Sequence, residues 1–176
     1  MSPLYRSSLL PIVLTSGSTE EELTGSIGTT ETGFTTMKAT ILANKLRDGD
    51  RIHVRAHFEC SGKGTGSNYN PNIRVGGISG QAVGNPTGVV HALNQSEWVE
   101  CWMTWKTVGA SPVWSFHSTL RSESNTTFDG PLAASRKTAP ASDAAIDILP
   151  TIAFGGTPNA SDKITCRDLT VEIHRP

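Results

Sequence analysis

At 176 residues the chain is long enough for one well-buried core and short for two. Its 15 basic and 16 acidic residues are scattered and leave a formal net charge of -1, which excludes the basic stripe that nucleic acid or an anionic membrane would require. Apolar residues make up only 36%, while 17 glycines and 10 prolines punctuate the chain, which excludes a helical bundle and favours short strands, thin layers and long loops. No helix of three turns is readable, so the expected class is all-β: an antiparallel sandwich or barrel of about eight strands.

The first apolar run, Leu9 to Leu14, is interrupted by Pro11. It is too short to span a membrane and lacks the small-residue cleavage site of a signal peptide, so it reads as an edge strand or docking arm. A polar link, SGSTEEELTGSIGTTETG, follows. The expected division is therefore an arm and linker over 1–30 and a β-domain over 31–176.

In FTTMKATIL, Met37, Ala39 and Ile41 share one face, and Asp48-Gly49-Asp50 supplies turn chemistry. RIHVRAHFEC then alternates strictly, with Ile52, Val54, Ala56, Phe58 and Cys60 on one side and Arg51, His53, Arg55, His57 and Glu59 on the other. Residues 61–72 read as a loop before a short strand at Ile73 and Val75, and a second Gly/Pro-broken loop precedes EWVECWMTWKTV. That strand carries large apolar groups on both faces, Val99, Cys101, Met103 and Trp105 against Trp98 and Trp102. Its expected partner is PVWSFHSTLRS.

After a long polar loop over 122–143, Ile146, Ile148, Ile152 and Phe154 share a register around Pro150, which predicts an edge strand or a bulge there. In the last segment Ile164 and Cys166 lie in one register and Leu169, Val171 and Ile173 in the other. The slip at Arg167-Asp168 predicts a β-bulge.

The three cysteines, Cys60, Cys101 and Cys166, lack C-x-x-C spacing and fall at apolar positions, so buried free thiols and a reducing cytoplasm are expected. The polar row is the natural metal candidate. However, His53 and His57 are four residues apart on a strand, a backbone separation of about 13 Å at roughly 3.3 Å per residue. Only His57 and Glu59 could share an ion, with a third ligand from a neighbouring strand, so no metal and no cofactor are assigned. Gly62, Gly64 and Gly66 precede no helix, Ser79 in GGISG lacks the nucleophile-elbow spacing, and no carboxylate pair stands out. No catalytic residue is assigned and no enzyme is expected. Trp98, Trp102 and Trp114 are candidates for a glycan-stacking platform or a subunit contact.

Leu-x-x-Gly-Asp-x-Ile-x-Val-x-Ala (Leu46, Gly49, Asp50, Ile52, Val54, Ala56), the Ile-Arg-Val strand with its following Gly-Gly, the tryptophan-bearing central strand and the closing Ser-Asp-Lys-Ile-Thr with Leu-Thr-Val-Glu form a pattern. It resembles the jelly-roll virion proteins of tailed bacteriophages: capsid decoration or cement proteins, head fibres and tail appendages. The resemblance implies a jelly-roll β-sandwich, homotrimeric, made in the host cytoplasm and carried on the capsid surface, with the major capsid protein or another virion protein as partner. The expected role is a cement protein stabilising the head, with Leu4, Tyr5, Leu9, Leu10 and Ile12 of the arm as capsid contacts. The alternative is a tail-fibre or head-fibre module, or a carbohydrate-binding sandwich using the tryptophans. On either reading the outward row of His53, Arg55, His57 and Glu59 is expected to meet water or a neighbouring subunit, with pH-dependent trimer stability as its functional trace.

Overall fold

A computed structural model describes residues 12–15, 20–27, 29–61, 68–84, 91–92, 96–122, 139–155 and 158–176. In chain order the strands are β1 (Ile12–Thr15), β2 (Glu21–Thr24), β3 (Thr32–Gly33), β4 (Ala39–Ile41), β5 (Arg51–Ser61) and β6 (Asn68–Val75). They continue with β7 (Gln81–Ala82), β8 (His91–Ala92), β9 (Ser96–Thr107), β10 (Val113–Ser122), β11 (Ile146–Gly155) and β12 (Lys163–His174). A single 3-10 turn, Gly25–Ile27, is the only helical element among the described residues.

These strands form two antiparallel sheets. The first has the order β1-β12-β5-β9-β10, with β2 also on β12; the second runs β3-β11-β6-β7, with β4 also on β11 and β8 on β6. The chain passes from one sheet to the other after β2, β4, β5, β8, β10 and β11. If β1/β2, β3/β4 and β7/β8 are each taken as one interrupted strand and β10 as an added edge, the path is that of a jelly roll. β1 and β2, from the stretch expected to be arm and linker, are strands of the first sheet.

The core lies between the sheets, where the alternation places it. Ile52, Val54, Ala56, Phe58 and Cys60 of β5 and Val99, Cys101, Met103 and Trp105 of β9 are buried against Tyr69, Ile73, Ile148, Ile152 and Phe154 of the second sheet. On β12 the register slips between Cys166 and Asp168, so Ile164 and Cys166 before Arg167, and Leu169, Val171 and Ile173 after it, all point inward. The slip is the expected bulge.

Two expectations are corrected. β11 lies inside its sheet, not at an edge, although it contains Pro150. The Pro150 carbonyl accepts from Phe34 N at 3.0 Å on the β3 side. Its missing donor points the same way, into the gap between β4, which pairs with 146–148, and β3, which pairs with 151–152. The loop expected over 61–72 gives way to strand at Asn68, and Pro71 uses the same device, lying between the residues paired with β8 and those paired with β7. The remainder of that loop and most of 122–143 lie outside the described residues.

Candidate functional site

Two surfaces follow from this architecture. The first is the open edge of the sandwich where β1 and β4 meet. Ile12, Leu14, Ile41, Leu42 and Ile173 line a groove of ≈ 200 Å³ there, with Lys45 and Arg175 alongside. Ile12 is 43% exposed, Val13 51% and Leu42 62%. Among the described residues no strand pairs with the outer edge of β1. Of the expected contact residues Ile12 sits on this edge, while Leu4, Tyr5, Leu9 and Leu10 lie outside the described residues.

The second surface is the outer face of the first sheet, where the polar row of β5 meets the outward side chains of β9 and β12. Antiparallel register sets His53 opposite Trp102 and His57 opposite Trp98. Each imidazole stacks on its indole with ring centroids 4.1 Å apart, and Arg51 and Arg55 lie 5.0 and 5.2 Å from the centroids of Trp102 and Trp98. His57 also hydrogen-bonds Ser96. The two histidines therefore stay on separate tryptophans, as strand spacing requires.

Trp98 and Trp102 are half-buried under these stacks, whereas Trp114 is fully buried. Trp114 packs edge-on against Trp105 at 4.9 Å and against Phe116 at 5.6 Å, so it has no face to offer a sugar or a subunit. Its position in β10, opposite Trp105, turns it inward.

β12 completes the second surface in a way that the β5 row does not reveal. Glu172 is the cross-strand partner of His53, and His174 lies two residues further along the same face. His53 Nδ1 is 3.4 Å and His174 Nε2 3.2 Å from Glu172 Oε2, and His53 Nε2 is 2.7 Å from Glu100 Oε1. Burial pushes the Glu172 carboxyl up, but its hydrogen bonds with the two imidazoles outweigh that and hold it below the usual carboxylate range. The signal in the sequence was Glu-x-His in TVEIHRP, a spacing that puts both side chains on one strand face.

No family model matches the sequence, and no curated protein matches it. Among solved structures, the chain is similar to the infectious bursal disease virus VP2 subviral particle. That match covers 94% of this chain and 33% of the other, at 12% identity and a TM-score of 0.38. Structures of the Gt and Gx strains of that virus match at 12% and 16% identity, each with a TM-score of 0.37. The chain spans about a third of the length of these matched chains.

Elsewhere, the charged groups serve the framework. Asp48 and Asp50 accept from the backbone amides of Val108 and Arg47 at 2.9 and 3.0 Å. Arg167, the bulge residue, bridges Glu20 and Glu59. Arg74 forks onto Glu31, whose Oε1 also accepts from Thr151 Oγ1 at 2.6 Å.

Proposed function

We propose that this chain is a non-enzymatic virion structural protein of the capsid-decoration type, which grips the outer surface of a phage head and stabilises it. One observation carries the reading: among the described residues nothing pairs with the apolar outer edge of β1, which in sequence follows the apolar segment that contains Leu4, Tyr5, Leu9 and Leu10. Soluble β-proteins ordinarily blunt such edges with charge, proline or a covering loop. An edge that exposes Ile12 and Val13 is suited to adding a strand to, or receiving one from, a neighbouring sheet. Affinity on a capsid would then come from buried area and from many copies rather than from a reactive group. The jelly-roll framework, the buried thiols and the use of Asp48, Asp50 and Arg167 in turns and bulges accord with a protein whose work is done by its surface.

On this reading the partner is the major capsid protein or another virion protein, and the protein acts as a homotrimer. The carbohydrate-binding or fibre alternative rests on Trp98 and Trp102 alone. It requires a sugar to displace an imidazole already stacked on each indole.

The experiment is capsid co-sedimentation with two variants. Deletion of residues 1–15, and separately Ile12→Asp with Val13→Asp, should each leave a folded β-protein that no longer decorates heads. Normal decoration by both would overturn the reading. Binding of the unmodified protein to a glycan array that Trp102→Ala abolishes would favour the alternative.

A further inference from the structure

We propose that His53, Glu172 and His174 form a binding site for a divalent metal of the zinc class on the outer face of the first sheet, with Glu100 setting the orientation of His53.

The donors have the right chemistry and spacing. Two imidazole nitrogens and a carboxylate oxygen form the ligand set of open zinc sites, and the three atoms lie within 4.8 Å of one another. The edge of a tetrahedron with bonds of about 2.05 Å is about 3.3 Å long. Glu172 Oε2 stands 3.4 Å from His53 Nδ1 and 3.2 Å from His174 Nε2, so two of the three edges are already set.

His53 is also oriented from behind. Glu100 accepts only, so it takes the Nε2–H of His53 at 2.7 Å. With a metal bound, the neutral imidazole presents an unprotonated Nδ1 toward Glu172 and His174, the ion taking the place of the proton that Nδ1 otherwise shares with Glu172. A carboxylate on the far nitrogen of a ligating histidine is the usual outer partner of a zinc site.

The charge balance suits a bound cation. Two carboxylates, Glu100 and Glu172, flank His53, and a neutral imidazole has one N–H for the pair. A metal ion between Nδ1 and Glu172 satisfies both. The His53, Glu172 and His174 side chains are 16, 26 and 34% exposed, so the ion can enter from solvent and keep water at its fourth position. Bound there, it ties the last turn of side chains on β12 to β5.

The test is calorimetric titration of the chelator-treated, full-length protein with zinc sulfate, alongside thermal melts. One zinc per chain and a rise in Tm are expected, because the donors converge only in the folded sheet. His174→Ala and Glu172→Gln should each weaken binding at least tenfold. Glu100→Gln should weaken it about 10-fold, and His57→Ala on the same face should leave it unchanged. Cobalt titration of the unmodified protein gives a readout independent of any variant's folding: intense visible bands of low-coordinate cobalt are expected. No zinc uptake, a cobalt spectrum of the hydrated ion, or zinc binding untouched by His174→Ala would each overturn the proposal.

Discussion

Asp50 and Asp162 make the same turn at opposite ends of the first sheet. Each sits one residue before a central strand, is fully buried, and donates its own amide to the carbonyl three residues back: Arg47 at 3.1 Å and Asn159 at 2.9 Å. Each carboxylate in return accepts that residue's amide, from Arg47 at 3.0 Å and Asn159 at 2.8 Å. Because β5 and β12 are antiparallel neighbours, the two turns close the sheet at both ends, about 40 Å apart at the rise of a β-strand.

Removing either carboxylate leaves the turn amide of Arg47 or Asn159 without its side-chain acceptor and empties the buried space that the carboxylate fills. Asp50→Ala and Asp162→Ala should each cost about 2–3 kcal/mol in denaturant unfolding. The losses should add, since the turns share no partner. Asp162→Asn, whose amide oxygen can still accept, should stay closer to the parent. Asp50→Asn keeps an acceptor too but withdraws the charge that lies 3.8 Å from Arg175 Nε, so it should still fall below the parent.

These turns explain why so much of the fold was legible. LRDGD and SDKIT resemble each other because each carries, just before a long strand, an aspartate that locks the entry to it, and the alternation that follows sets the buried face, strictly in β5 and with the slip at Arg167 in β12. Gly49, at φ +88, is the one residue of the first turn that needs glycine's freedom. The bulge at Arg167 was legible for the same reason, as a slip in parity. What the sequence concealed is non-local. Pro150 reads as an edge signal, and Pro71 as part of a loop, because the splitting of their partner strands cannot be seen along the chain. His53 likewise looked isolated from a ligand set until β12 brought Glu172 and His174 beside it. Trp114 was misjudged because its outward or inward sense depends on pairing with Trp105.

The tryptophans should divide into two classes. Trp105 and Trp114 are fully buried, and neither indole N–H has a hydrogen-bond partner among the described residues, while Trp98 and Trp102 are reachable from solvent. Acrylamide should quench Trp98 and Trp102 and spare Trp105 and Trp114. Trp114→Ala should cost about 3–5 kcal/mol, Trp114→Phe less because it also removes an unpaired donor, and Trp102→Ala about 1 kcal/mol. Equal quenching of single-tryptophan variants at 102 and 114 would contradict this packing.

Acid should loosen the second sheet through Glu31. Burial pushes its carboxyl up, but the Arg74 fork and the Thr151 hydroxyl more than offset this and lower it. With the folded value depressed, the stabilisation is complete above the unfolded glutamate value of about 4.3. It is lost as the pH falls through the folded value. Glu31→Gln should cost about 1–2 kcal/mol at neutral pH. It should also flatten the fall in stability below about pH 4.3, read from urea midpoints across the acid range. A variant with the same acid slope as the parent would show that Glu31 contributes none of it.

The thiols provide a clock for opening of the core. Cys60, Cys101 and Cys166 are free and buried. Burial raises the Cys166 thiol to about 12 and those of Cys60 and Cys101 higher still, although Tyr69 hydrogen-bonds Cys60 and draws it partly back. A thiol reagent acts only on the thiolate, and at neutral pH these sites hold almost none. Native protein should therefore resist Ellman's reagent, and all three cysteines should react at once in denaturant. In native buffer, labelling should proceed at a rate set by unfolding and independent of reagent concentration when cleavage of the reagent outpaces reclosing. Rapid labelling of Cys60 alone would mean that the end of the sandwich around Tyr69 opens separately from the rest.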